Sequence, residues 1–226
     1  FQWLGNGILL FSYSSRRLFT TGTAAATAAA IYAWLYLGWR AEGDALGILF
    51  VPALALSVIF SMNVLPRESE GHTMEIFFSL PVKRYRLVIW HLLTIAVWLF
   101  GLLLIPAIFL APVHEEITFR GLLLKVYPSL VCVSCLTLWI STYTRSGPAA
   151  GFVAGLICFL HLFQIRSFGP VQLFESPFLS ARADGPMAMA GRNAWGATQV
   201  LMLVVLSILM IYLTNERLKK SELWFR

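Results

Sequence analysis

Long runs of apolar residues without charge are the feature of this sequence that most limits its fold. Residues 87–111, for example, contain no Asp, Glu, Lys or Arg, and a helix needs about 20 apolar residues to cross about 30 Å of hydrocarbon. Charged residues make up only 12% of the chain, against about 25% in a soluble domain. The sequence therefore predicts an all-α, polytopic membrane protein with one transmembrane domain over residues 1–226. The six predicted spans are residues 18–39, 45–64, 87–111, 119–143, 148–164 and 194–213.

Two segments outside the spans are also apolar. Residues 1–17 mix apolar and small polar residues and end in Arg16 and Arg17, a pattern typical of an interfacial helix on the cytoplasmic leaflet. Residues 165–193 carry too many prolines and glycines to span, yet they are too apolar for a free loop. We expect a broken extracellular or re-entrant segment there, before the last span.

The distribution of basic residues predicts the orientation. Six spans place both termini on one side, and with the termini inside, eleven of the 17 lysines and arginines fall on the cytoplasmic side. Cytoplasmic loops of membrane proteins carry such an excess. We therefore expect a multi-pass protein of the plasma or inner membrane with cytoplasmic termini. The net charge of +6 then reflects this topology, and no nucleic-acid partner is expected.

The segment between the second and third spans, residues 65–86, is the longest polar link among the first spans. Its apolar residues recur at the spacing of one helix face, and acidic residues occupy the polar side. The apolar positions are Met74, Phe77, Phe78 and Pro81, and the acidic ones are Glu68, Glu70 and Glu75. Such a helix either lies along the membrane surface or docks into a groove on a soluble partner.

The same segment resembles a known family. The run Glu70, Thr73, Glu75, Ser79-Leu80-Pro81-Val82 and Arg84 is similar to the segment after the second span in permeases of the type-two ATP-binding-cassette (ABC-2) transporters. The layout of an amphipathic start, six spans and a broken segment before the last span resembles that family over essentially the whole chain.

This resemblance implies a transport subunit without its own ATPase, and the sequence contains no GxxxxGK[ST] phosphate loop. The chain would bind no cofactor, because ATP and Mg would be held by two partner ATPase subunits, beneath this permease and a second, identical or homologous permease. Residues 67–80 would form a cytoplasmic coupling helix, and the interfacial helix before Arg17 would make a second contact. The residues implied in docking are Arg67, Glu68, Glu70, Thr73, Met74, Glu75, Phe77, Phe78 and Pro81.

A substrate path is expected near the outer ends of the spans. Arg120 and Lys125, early in the fourth span, either extend toward outer headgroups or form a cationic lining. Glu175 would lie near the exit if the broken segment caps the path, although that segment equally suits a lid without substrate contact. The apolar, aromatic-rich spans suit export of an amphipathic, peptide, antibiotic or lipid-like cargo.

Other chemistry finds little support in the residues. Cys132 and Cys135 form a CxxC without a second Cys or His pair, and together with Cys158 they are interpreted as buried apolar cysteines. His91 is interpreted as a packing histidine, with proton relay as the alternative. No nucleophile and base pattern or metal spacing is present. The functional alternatives are a membrane anchor or assembly subunit and an ion-coupled carrier.

Overall fold

The computed structural model describes residues 12, 15, 21–40, 45–62, 84–110, 112, 122–144, 146–164 and 186–220. These residues form helices and no strand, so the all-α prediction is confirmed for them. The helices are α1 (Thr21–Arg40), α2 (Ala45–Met62), α3 (Arg84–Leu110), α4 (Tyr127–Thr144), α5 (Gly147–Gln164) and α6 (Pro186–Lys220), with a π-helical turn (Leu122–Val126) leading into α4.

Each predicted span coincides with one helix. Pro52 lies inside α2 and Pro106 inside α3, which membrane helices tolerate when neighbouring groups satisfy the freed carbonyls. Two described helical stretches are both long and apolar enough to cross a bilayer, Val88–Leu110 and Val200–Leu218. Two further apolar stretches, Phe50–Met62 and Gly147–Leu160, are shorter.

The last helix is longer than the predicted span. It begins at Pro186 rather than at residue 194 and continues through Lys220, so the last part of the predicted broken segment, residues 186–193, is helical. Proline is favourable in the first turn of a helix because its missing N–H needs no partner there. Alanine and methionine, which follow it, have high helix propensity.

Helix α4 occupies the centre of the bundle. It packs against α2, α5 and α6 and also contacts α3, and eleven of its 18 residues are buried. Helices α4 and α6 run parallel: the Ser207 hydroxyl lies at hydrogen-bonding distance from the thiol of Cys132, and further along both helices Arg217 lies over the ring of Tyr143.

The surface of the described bundle is apolar, and short hydroxyl side chains lie within its apolar core. Phe152, Ile108 and Leu201 are 72%, 68% and 65% exposed, whereas many serine and threonine hydroxyls are buried. Among the described residues, the buried polar group consists of Ser, Thr and His91, without a buried Asp, Glu, Lys or Arg. Large contiguous apolar surfaces are rare on soluble monomers, so this surface suits lipid or another apolar partner.

Helices α2 and α5 are in close contact at a glycine. A Cβ atom placed on Gly151 would lie 2.5 Å from Met62 Sδ and 3.4 Å from Met62 Cβ. The absence of a side chain at Gly151 therefore lets the last residue of α2 rest directly on α5, which is the use of small residues typical of membrane helices.

We expect Gly151→Val to destabilise the protein by about 1–3 kcal/mol, because the branched side chain overpacks this contact. Gly155→Val, one turn further along α5, is the matched control, since a Cβ there meets nothing within 4 Å. Thermal unfolding in detergent measures the difference. Adding Met62→Ala to Gly151→Val should recover part of the loss, and equal Tm values for the two glycine variants would contradict the packing described.

Candidate functional site

The predicted coupling segment begins and ends at one end of the bundle. Helix α2 ends at Met62 and α3 begins at Arg84, and these two helices pack against each other. Residues 63–83 lie outside the described residues, so the structure does not place the nine predicted docking residues. Those residues are Arg67, Glu68, Glu70, Thr73, Met74, Glu75, Phe77, Phe78 and Pro81.

Contacts between the helices show which other elements reach this end. Met62 rests on Gly151, one turn into α5, so the link between α4 and α5 lies beside the end of α2. The Phe100 and Tyr127 rings meet edge to face at 5.5 Å, which places the later half of α3 beside the start of α4. Helices α3 and α4 are therefore antiparallel, and the start of α3 lies at the same end as Thr144.

The helix turns that lie at this end carry many basic residues. We call it the basic end: the end of the bundle formed by the last turns of α2, α4 and α6 and the first turns of α3 and α5. Its described basic residues are Arg84, Arg86, Arg217, Lys219 and Lys220, whereas Arg145 lies outside the described residues. A membrane protein carries this excess on its cytoplasmic side.

An aromatic and cationic stack joins α4 to α6 at the basic end. The Trp139 and Tyr143 rings pack edge to face with centroids 5.4 Å apart, and the Arg217 guanidinium carbon lies 4.8 Å from the centroid of Tyr143. This distance falls within the range of cation–π attraction. The charge is thus kept at the edge of the apolar span while α6 is held against the central helix.

A buried hydrogen bond connects α2 to α4. Ser57 Oγ donates to the backbone oxygen of Leu130 at 2.9 Å and lies 2.8 Å from Ser134 Oγ. Because Ser57 has one hydroxyl proton and gives it to Leu130, Ser134 is the donor in the second bond. This pair is not among the residues predicted from the sequence. A signal was present, since small polar residues inside an apolar block are typical of contacts between membrane helices.

Many other buried hydroxyls bond to their own helix. Their acceptors are carbonyls three or four residues earlier, which satisfies a hydroxyl in apolar surroundings without opening the helix. These donors are Thr27, Ser61, Thr94, Thr137, Ser141, Thr142, Ser207 and Thr214. These hydroxyls therefore donate their hydrogen bonds within the described interior and stabilise its packing.

Of the three predicted path residues, one is described, and it lies at the opposite end. Lys125 lies in the π-helical turn before α4, whereas Arg120 and Glu175 lie outside the described residues. The wider turn follows from Pro128, which lacks the N–H that an α-helix would need at that position. Such π turns are frequent at functional sites, and the exposed neighbours Leu123 and Leu124 place this one at the apolar surface.

Two described residues belong to the predicted interfacial helix. Ser12 and Ser15 are helical, and Trp98 Nε1 donates a hydrogen bond to Ser15 Oγ at 3.0 Å. Trp98 lies near the middle of α3, so Ser15 lies beside that part of the helix. The remaining residues of 1–17 are outside the described part of the chain.

The three cysteines are buried and free, which confirms that they pack as apolar groups. Ser207 lies at hydrogen-bonding distance from Cys135 as well as from Cys132. Within the described residues, no group of three or more His, Cys, Asp or Glu side chains is arranged to hold a metal ion.

Comparison with protein families identifies the family of this helical bundle. The profile of the ABC-2 family transporter protein matches residues 15–209, most of the chain. The chain belongs to the ABC-2 transporter family. No curated protein and no solved structure matches it. This ABC-2 permease is a multi-pass membrane protein and the membrane component of an ABC transporter, a class of permease that works with ATPase subunits.

The family match agrees with the features that the structure shows in this ABC-2 permease. The resemblance noted in residues 70–84 predicted the same family, so that prediction is confirmed. The matched range covers α1 to α5 and the apolar centre of α6. The apolar surface of the described helices suits a membrane component.

We expect Tyr143→Leu to destabilise the contact between α4 and α6 by about 0.5–1 kcal/mol, the range for an exposed cation–π pair. Tyr143→Phe keeps the ring face and should remain close to the parent. A double-mutant cycle with Arg217→Gln, measured by denaturant unfolding in mixed micelles, isolates the pair. If the changes in unfolding free energy of the two substitutions add exactly, Arg217 and Tyr143 do not stabilise each other.

Proposed function

We propose that this ABC-2 permease has six spans with both termini in the cytoplasm of a cell whose plasma or inner membrane it occupies. It pairs with a second permease, identical or homologous, and is driven by two ATPase subunits that bind ATP and Mg. The observation that carries the proposal is the family match over residues 15–209. The basic end supports the orientation, because cytoplasmic faces attract lysine and arginine.

The ATPase subunits dock at the basic end. Residues 63–83 join α2 to α3 there, and the amphipathic pattern of residues 67–80 suits a groove on a soluble partner. The acidic residues Glu68, Glu70 and Glu75 stand out against the surrounding basic residues, so they provide charge complementarity to a basic groove. Rigid ends at Pro66 and Pro81 let this coupling helix move α2 and α3 as a unit.

The transport path lies between two permeases. The described interior of one chain is packed, and its buried hydroxyls bond largely to their own helices. A single bundle therefore offers a polar cargo few open groups. Two bundles facing each other enclose a route that neither encloses alone, and their apolar surfaces suit an amphipathic peptide, antibiotic or lipid-like cargo that is exported.

Charge reversal in the coupling helix tests docking. In the permease purified from its native cells in mild detergent, we expect Glu70→Lys with Glu75→Lys to lower the retained ATP hydrolysis by about tenfold. That loss corresponds to about 1.4 kcal/mol of binding free energy, a modest cost for two interface charges. The same loss should appear in ATP-driven transport by the reconstituted complex.

The matched control is Glu115→Lys with Glu116→Lys. These two residues lie between the third and fourth predicted spans, on the side of the membrane opposite the coupling helix, and their substitution makes the same charge change. This control should keep the hydrolysis of the parent. A parent permease that retains no ATPase, or equal hydrolysis in both double variants, contradicts the proposal and favours a membrane anchor or an ion-coupled carrier.

The cationic lining is tested at Lys125. We expect Lys125→Gln to lower transport of an anionic fluorescent lipid analogue several-fold relative to a zwitterionic one, because it removes the positive charge that attracts the headgroup. Lys125→Arg keeps the charge and should retain the preference. Transport in proteoliposomes with the ATPase subunits measures the ratio. An unchanged ratio in Lys125→Gln shows that Lys125 only extends toward headgroups.

A further inference from the structure

Two serines of α2 donate their hydroxyl protons to different helices. Ser57 and Ser61 are one turn apart and both are completely buried. Ser61 donates to the backbone oxygen of Ser57 in its own helix at 2.7 Å. Ser57 instead reaches across to Leu130 of α4. The two hydroxyls therefore share a residue type, a helix and an environment, but only Ser57 makes the bond to α4.

The bond of Ser57 has an equivalent alternative. If the hydroxyl turns back, it meets the carbonyl of Ala53 in the preceding turn of α2, which is the bond that Ser61 makes one turn later. Ser134, released from Ser57, is four residues after Leu130 and meets that carbonyl in the same way. Both arrangements satisfy every hydroxyl, so neither leaves an unpaired polar group in an apolar interior.

The position of Ser57 links this exchange to the basic end. About 7.5 Å of helix separates Ser57 from Met62, where α2 ends and the residues leading to the coupling helix begin. Met62 itself rests on Gly151 of α5. The last turns of α2 are thus held on one side by a hydrogen bond to the central helix and on another by a close van der Waals contact.

From this geometry we propose that Ser57 is a positioning residue for coupling, which transmits movement of α2 to α4 by exchanging its hydrogen bond between Leu130 and Ala53. This inference rests on the proposed function, since residues 63–83 must receive the movement of the ATPase subunits. Packed helices change position between discrete arrangements rather than continuously. The exchange supplies two such arrangements of α2 against α4.

Helix α4 distributes that movement. It packs against α5 and α6 as well as α2, and α6 is held to it by Arg217 and Tyr143. A displacement that reaches α4 through Ser57 therefore reaches both flanking helices, together with the π-helical turn at the other end.

The test compares Ser57→Ala with Ser61→Ala in the permease reconstituted with its ATPase subunits, with ATP hydrolysis and transport measured separately. We expect Ser57→Ala to keep ATPase binding and hydrolysis and to lower transport per ATP by about fivefold, because α2 then moves without the buried hydrogen bond that ties it to α4. Ser61→Ala should stay close to the parent ratio. Ser134→Ala, which leaves the bond from Ser57 to Leu130, should fall between them.

The outcomes are distinct. Equal transport per ATP in Ser57→Ala and Ser61→Ala overturns the proposal, as does a loss in Ser57→Ala that lowers Tm, hydrolysis and transport together, because that loss marks a structural role. If Ser57→Ala fails to fold, the ratio in Ser57→Cys decides, because a thiol is a weak donor in place of the hydroxyl, and a parental ratio there overturns the proposal. A parent permease that assembles with no ATPase rejects the proposed function instead.

Discussion

A polar group in hydrocarbon has no water to bond with, and this constraint organises the bundle. Buried serines and threonines return their protons to carbonyls of their own helices, which allows helices to pack closely through small residues. Large apolar side chains also face outward, as Phe152 and Leu201 do, beside those that fill the core. The central position of α4 follows from the same constraint, because its short polar side chains satisfy themselves while its neighbours surround it.

The basic end connects that scaffold to the proposed ATP-driven role. Contacts of Met62 with Gly151 and of Arg217 with Tyr143 hold several helices together there. Opposite it, Pro128 widens the helix into the π turn that carries Lys125. The described bundle thus has one end at which side-chain contacts join several helices and another end with an irregular turn.

The sequence predicted the helices well because the signal is local. An uncharged run such as residues 87–111 predicts one membrane-spanning helix, and this prediction does not depend on neighbouring segments. The pairing of Ser57 with Leu130 joins residues 73 positions apart and depends on which helix faces meet, which no run of apolar residues specifies. Helix α6 begins before the predicted span because Pro186, which is typical of a break inside a helix, also begins a helix well. The docking role of residues 67–80 stays a prediction.

Helix α6 is longer than the hydrocarbon core of a bilayer is thick. Its 35 residues extend about 52 Å at 1.5 Å per residue, whereas the hydrocarbon core is about 30 Å thick. Membrane helices tilt by up to about 40°, and at that tilt α6 still reaches about 40 Å along the bilayer normal. Tilt alone therefore does not bring α6 within the hydrocarbon, and about two turns of the helix extend beyond it into the headgroup region.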